Sequence, residues 1–438
     1  MRRDAYGLDG ARSVESTASP TRRGETATVT AVTAKSKGLI KPLTGLRFAA
    51  ALLVVLLHTF HVDTAAGAGP GPALRHGLAN LVARGFVGVP FFFILSGFIL
   101  TYAYVDKQRR DPEGAAVDRR AFWIARFARI YPVYLFALVV AAVPMVYWSG
   151  PNGGCTTNHP IISKITTPLL LQSWVPCAQW TWNGPSWSLS VEAFFYLLFP
   201  FVAVPIGRLG RRGLYGVMTF ALVAYALIIA LYCVVNPGGE NPLTMPRTVL
   251  LNTLTLNPLV HLPEFVVGVA LGGLFARRRS DMPRARARLA RFLSPGPLST
   301  LATIAIVGLL ATGIVPTVQL VADLLLTPLF AALIYTVAYN EGPIAAFFSL
   351  PPLLILGEAS YALYLLHQPI WNWMDHLAPR LPLTGSVRSI GLYFPVFLCI
   401  ALGASLITLR AIERPARAAI TRAFARRTRS RTSARGSI

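Results

Sequence analysis

Ionisable side chains interrupt the apolar stretches of this chain at His58, Glu192, Glu264, Asp323, Glu358 and His367. Such groups are expensive at membrane depth, so each is a candidate for chemistry. Arg47 stands eleven residues before His58 in the stretch LTGLRFAAALLVVLLHTFH. On a helix, eleven residues make three turns plus about 20°, so the two share one face, about 16 Å apart along the axis. That face offers a cation at one end and, toward the other, an imidazole that titrates near neutrality. Snorkelling of Arg47 to a lipid phosphate is the plain alternative. For His58 it is a core histidine bonded to a neighbouring helix. His61, three residues on, sits nearer the outer water. In RFARIYP, Arg126 and Arg129 are three residues apart on one face, at the expected inner start of a span. Guanidinium forks there suit phosphate, although an ordinary basic flank would look the same.

Depth relates these groups to one another. His58 lies about 6 Å below the outer end of its span and Glu192 about 9 Å below the end of its own. Glu264 is placed similarly, and His367 lies about two turns down. A single cavity in the outer half could hold all four. Ser96-Gly97, within GFVGVPFFFILSGFILTYAY, is expected to let helices approach closely.

Apolar runs must position these residues. Runs of roughly 18 or more residues occur at 43–62, 85–105, 129–148, 186–206, 213–235, 258–276, 298–315, 319–339, 353–375 and 387–409. The fold class expected is all-α, a polytopic transmembrane bundle of about ten helices. Of 41 Lys and Arg, all but Arg75, Arg84, Lys164, Arg247, Arg380 and Arg388 fall in the tails, alternate loops or inner span ends. That asymmetry puts both termini inside. It also explains the net charge of +23 without a nucleic-acid partner. Charged residues make up only 13% and hydrophobic ones 54%, as befits a lipid solvent.

Residues 1–42 read as a disordered cytoplasmic tail without the apolar core of a cleaved signal peptide. Residues 43–415 form the membrane domain, and 416–438 a basic cytoplasmic tail. The longest outer loop, 149–185, carries Leu169–Leu171, Trp174, Trp180 and Trp182, a composition suited to a lid at the membrane interface. Cys155 and Cys177 share that loop and are equally consistent with a disulfide or two thiols. Cys233 and Cys399 lie in apolar runs and read as packing residues. No CxxC spacing suggests a metal, and no internal repeat of the inverted-transporter kind is evident.

Seven stretches carry a resemblance: LTGLRFAAALLVVLLH, FVGVPFFFILSGFILTY, RFARIYPVYL, WSLSVEAFFYLLFP, LPEFVVGVALG, LGEASYALYLLHQPI and the ERP of Glu413–Pro415. In that order, over 43–415, they resemble the acyltransferase 3 family of membrane acyltransferases. The resemblance implies about ten core helices and transfer of an acyl group, commonly acetyl, from acyl-CoA. Implied acceptors are hydroxyls of surface sugars, peptidoglycan, lipopolysaccharide or macrolides. The family's Arg-x10-His element falls on Arg47 and His58, its Arg-x-x-Arg on Arg126 and Arg129, and its Ser-x-x-x-Glu on Ser188 and Glu192.

These correspondences set the expectations for a site. His58 is the candidate general base, or the carrier of a transient acyl-imidazole. Glu192 is expected to orient that imidazole. Arg47, Arg126 and Arg129 are expected to hold CoA phosphates at the cytoplasmic side. Ser188, Glu264, Tyr361 and His367 are candidate supporting residues. Acyl-CoA is a co-substrate, with no resident cofactor or metal expected. The partners the resemblance implies are acyl-CoA, a carbohydrate or glycoside acceptor and the bilayer of a bacterial-type cytoplasmic membrane. The rival function is a transporter or flippase of a glycolipid-like substrate, in which the buried His and Glu relay protons.

Overall fold

A computed structural model describes residues 40–60, 71–110, 118–144, 160–176, 178–179, 182–235, 254–280, 294–377 and 392–435, all within one unit, Gly38–Ile438. The readings made above for 1–39, His61, Cys155, Cys177, Trp180, Arg247, Arg380 and Arg388 lie outside the described residues.

The described residues are helical, with no strand among them. In chain order the helices are α1 (Lys41–Thr59), α2 (Pro72–Ala83), α3 (Gly88–Arg110), α4 (Arg119–Val143), α5 (Pro160–Thr166), α6 (Trp187–Arg208) and α7 (Arg211–Val235). They continue with α8 (Leu262–Ser280), α9 (Pro295–Thr312), α10 (Gln319–Val337), α11 (Gly342–Phe348), α12 (Pro351–Leu377), α13 (Tyr393–Thr408) and α14 (Arg414–Arg435). An all-helical chain follows from the solvent: in lipid every backbone group must be paired inside its own segment.

Several boundaries differ from those expected, for local reasons. The third span starts at Arg119 rather than 129, because Asp118 caps it: its carboxylate accepts from the Ala121 N–H at 3.0 Å. Arg126 and Arg129 therefore lie two to three turns inside α4, not at its start. Helix α9 stops at Gly313, whose φ of 78° only glycine adopts readily. The ninth span is the longer arm of a bent pair, α11 and α12, which meet at a 68° bend. The last span passes through a π-turn at Leu409–Glu413 into α14, so much of the expected basic tail is helix.

Among the described residues, eight helices are long and apolar enough to cross a membrane, or nine counting the bent pair as one. The sixth expected span is present as α8, but Glu264 in its first turn and Arg277–Arg279 near its end raise its charge. The lipid-facing surface is apolar, as on α7, where Phe220 is 75% and Val234 76% exposed.

Two glycine seams bring backbones together. Side chains at Gly97, Gly268 or Gly272 would strike the opposing backbone of α3 or α8; a Cβ on Gly272 would lie 2.6 Å from the Phe98 carbonyl oxygen. The expectation for Ser96-Gly97 is thus met against α8. Gly45 of α1 and Gly357 of α12 do the same against Phe348 and Thr44. Small residues permit this because lipid gives no hydrophobic drive between helices, so packing must supply the attraction. The seams fix α1, α3, α8 and α12, which carry the polar residues described next.

Candidate active site

Two cavities lie between these helices. The first, about 750 Å³ counting its open side, is lined by Arg47 from α1, Arg126 and Arg129 from α4, and Ser188, Glu192 and Tyr196 from α6, with Ser96 and Tyr361. Three cations and one carboxylate thus face a common space. Glu192 accepts from the Tyr196 hydroxyl and from Ser96 Oγ at 3.3 Å. Tyr196 is fixed in turn, since Trp123 Nε1 donates to its carbonyl at 3.1 Å. The Arg126 guanidinium sits over the rings of Phe122 (5.7 Å) and Tyr196 (5.9 Å). Its Nε is buried without a hydrogen-bond partner. Behind the cavity, Glu413 of the ERP stretch is within electrostatic range of Arg129 and Arg47. The excess positive charge and the unpaired N–H suit a multiply charged anion.

The second cavity, about 1010 Å³, is lined by His58, Pro185, Trp187, Thr255, Gln319 and Tyr364, among others. Val89 and Tyr364 line both cavities. Arg47 and His58 therefore open from one helix into adjoining spaces, as their eleven-residue spacing anticipates. The Tyr364 hydroxyl donates to the Pro185 carbonyl at 2.8 Å and lies 2.7 Å from Ser188 Oγ.

The ring of His58 is held by its own helix and by α12. His58 Nδ1 is 2.8 Å from the Val54 carbonyl oxygen and 3.3 Å from His367 Nε2. His367 Nδ1 is 2.7 Å from the Tyr364 carbonyl oxygen. A carbonyl can only accept, so each Nδ1 carries a proton. His58 Nε2 then keeps its lone pair. The expected Glu192–His58 pair is not what the structure builds: Glu192 serves the arginine cavity, and His367 takes the place beside the imidazole. The reason is position: Tyr364 borders both cavities, whereas Glu192, like Ser188 one turn before it, lines only the arginine cavity.

The supporting candidates divide likewise. Tyr361 lines the first cavity and donates to the Ile130 carbonyl at 2.8 Å. Glu264 and Asp323 belong to a separate buried group with His261, which sequence reading passed over. Its signal was the three-residue spacing of His261 and Glu264. Glu358 pairs with Arg414 at 2.5 Å, both exposed, so it is a surface ion pair worth about 0–1 kcal/mol. Ser96, Tyr196 and Tyr364 were also missed as site residues, because a hydroxyl in an aromatic run looks like packing.

The described part of loop 149–185 is tied to the bundle by side chains that cap backbone groups. Gln172 Nε2 donates to the Ser186 carbonyl at 2.9 Å, Ser173 Oγ to Trp187 at 2.7 Å and Asn183 Nδ2 to Leu365 at 2.9 Å. Trp174 packs edge-on against Phe194, 5.1 Å between centroids.

Residues 40–410 match the family described as an acyltransferase domain. The chain is similar to the acyltransferase MdmB of Streptomyces mycarofaciens, 29% identical over 74% of this chain and 77% of that protein. It is 24% identical to the putative peptidoglycan O-acetyltransferase YrhL of Bacillus subtilis, over 80% of this chain and 53% of that one. It is also 24% identical to the peptidoglycan O-acetyltransferase OatA of Listeria monocytogenes, over 65% and 45%. The chain thus spans about half the length of these two peptidoglycan enzymes. No solved structure matches it.

Proposed function

We propose that this chain, which belongs to the acyltransferase family matched over residues 40–410, moves an acyl group from acyl-CoA to a hydroxyl held beside His58. The observation that carries the reading is the pair of adjoining cavities, one cationic and one containing the histidine, with Tyr364 and Val89 in both. Arg47, Arg126 and Arg129 grip the CoA phosphates. The pantetheine arm, about 15–20 Å long, matches the rise from Arg47 toward His58.

His58 Nε2 takes the proton from the acceptor hydroxyl as its oxygen attacks the thioester carbonyl. The C–O bond forms, the C–S bond breaks, and the proton passes on to the departing thiolate. Tyr364 brings its hydroxyl to the shared wall, with Ser188 Oγ beside it on the arginine-cavity side, where the tetrahedral oxyanion develops. His367 and the Val54 carbonyl steady the imidazolium while it exists. The acyl group is acetyl and the acceptor a cell-envelope glycan or related glycoside, a reading supported by the O-acetyltransferase names of YrhL and OatA. The membrane is a bacterial cytoplasmic membrane, with the arginine cavity toward the cytoplasm.

The test is transfer by purified protein in liposomes. Labelled acetyl-CoA and a muropeptide or glycoside acceptor should yield labelled ester and free CoA. Protein that neither binds acetyl-CoA nor releases CoA would remove the reading.

A further inference from the structure

Apart from both cavities, His261 and Glu264 of α8 and Asp323 of α10 form a group whose donor atoms all lie within 4.8 Å of one another. All three residues are fully buried. The Tyr225 hydroxyl of α7 donates to Glu264 Oε1 at 2.9 Å. His261 Nε2 lies 2.9 Å from the Thr255 carbonyl oxygen and so carries a proton. Its other nitrogen, Nδ1, faces Glu264 Oε2 at 3.1 Å, a lone pair against a carboxylate oxygen. Something positive must lie between them. A single proton would serve that pair, but Asp323 has only the Gln319 side chain near it, and neither of its oxygens reaches a partner at hydrogen-bond geometry. A buried carboxylate so weakly paired is strongly unfavourable.

We infer that His261, Glu264 and Asp323 bind a first-row divalent cation, zinc or manganese. One such ion meets the open demands of all three side chains and balances the two carboxylates. An imidazole nitrogen with two carboxylates is a mixed set that suits these ions rather than magnesium or calcium. The Nε2–H bond to Thr255 is the outer support that metal-binding histidines usually have. Zinc bonds of about 2.0–2.2 Å require the donor atoms to draw in by about 1 Å at their widest separation. Gln319, one turn before Asp323, and Thr255 both line the His58 cavity, which gives the ion a way in. Bound there, it would tie α8 to α10, with Tyr225 of α7 behind Glu264. Its role is structural, since no step of acyl transfer passes through it.

The test uses the full chain, without an affinity tag, purified in detergent. Chelator-treated protein is dialysed against zinc or manganese chloride, washed free of excess, and assayed for metal by mass spectrometry. About one ion per chain is expected, together with a rise in the thermal midpoint. Asp323→Asn, which keeps the shape of the side chain, should lose both the ion and the rise. If that variant does not fold, Glu264→Gln is read in its place. X-ray absorption should show nitrogen and oxygen neighbours only. No bound metal in the unaltered chain overturns the inference. So does a full equivalent retained by the variant, or sulfur in the coordination shell.

Discussion

His58 and His367, 309 residues apart in sequence, place ring nitrogens 3.3 Å from each other, with ring centroids 5.2 Å apart. The Val54 and Tyr364 carbonyls hold the two Nδ1 protons, so the rings point in a defined order, with His367 Nε2 free to accept from His58 Nδ1. A carboxylate at this place would add a charge to a buried site. A second imidazole orients the first without that penalty.

On the proposed function, His367 is assigned to positioning His58 rather than to touching substrate. His367→Phe should lower kcat by roughly 10- to 100-fold, less than loss of a general base itself. KM for either substrate should stay near its original value. His367→Gln, which can still offer an acceptor to His58 Nδ1, should recover part of the rate. Equal losses in both variants, or a change confined to KM, would count against the positioning role.

Arg126→Ala should raise KM for acyl-CoA by roughly 10- to 100-fold, from the loss of charge-assisted bonds worth about 1.5–3 kcal/mol. KM for the acceptor should not move. Arg126→Lys should restore only part of the affinity, because lysine lacks the planar fork that stacks on Phe122 and Tyr196. Steady-state kinetics with each substrate varied in turn would decide it. Unchanged acyl-CoA affinity would remove Arg126 from the donor site.

Gly268→Ala should destabilise the protein by about 1–3 kcal/mol, because its Cβ would run into the Ile94 carbonyl of α3. Gly308→Ala, with open space around it, should be neutral or slightly stabilising. Thermal unfolding in detergent separates the two. A Gly268→Ala protein as stable as the original would show that the seam has slack.

The parts of this architecture fixed by lipid were legible in the sequence. Apolar runs gave the helices, and the Arg47–His58 interval placed two groups on one face in adjoining cavities. The start of α4 was misplaced because Arg119, Arg120, Arg126 and Arg129 resemble a loop flank, whereas Asp118 caps a helix there. Partnership between helices was not legible. Depth alone put His58, Glu192, Glu264 and His367 at similar levels, but rotation about each helix axis assigns them to three different neighbourhoods. The His58–His367 pair depends on the seam between α1 and α12, which sets the rotation of those two helices.

The most direct measurement pairs binding with turnover in His58→Ala, reconstituted in liposomes. The division of labour between the cavities predicts acetyl-CoA affinity within about twofold of the unaltered protein, since the arginine cavity is intact, and acyl transfer reduced by at least about 100-fold. Transfer at the original rate would contradict it.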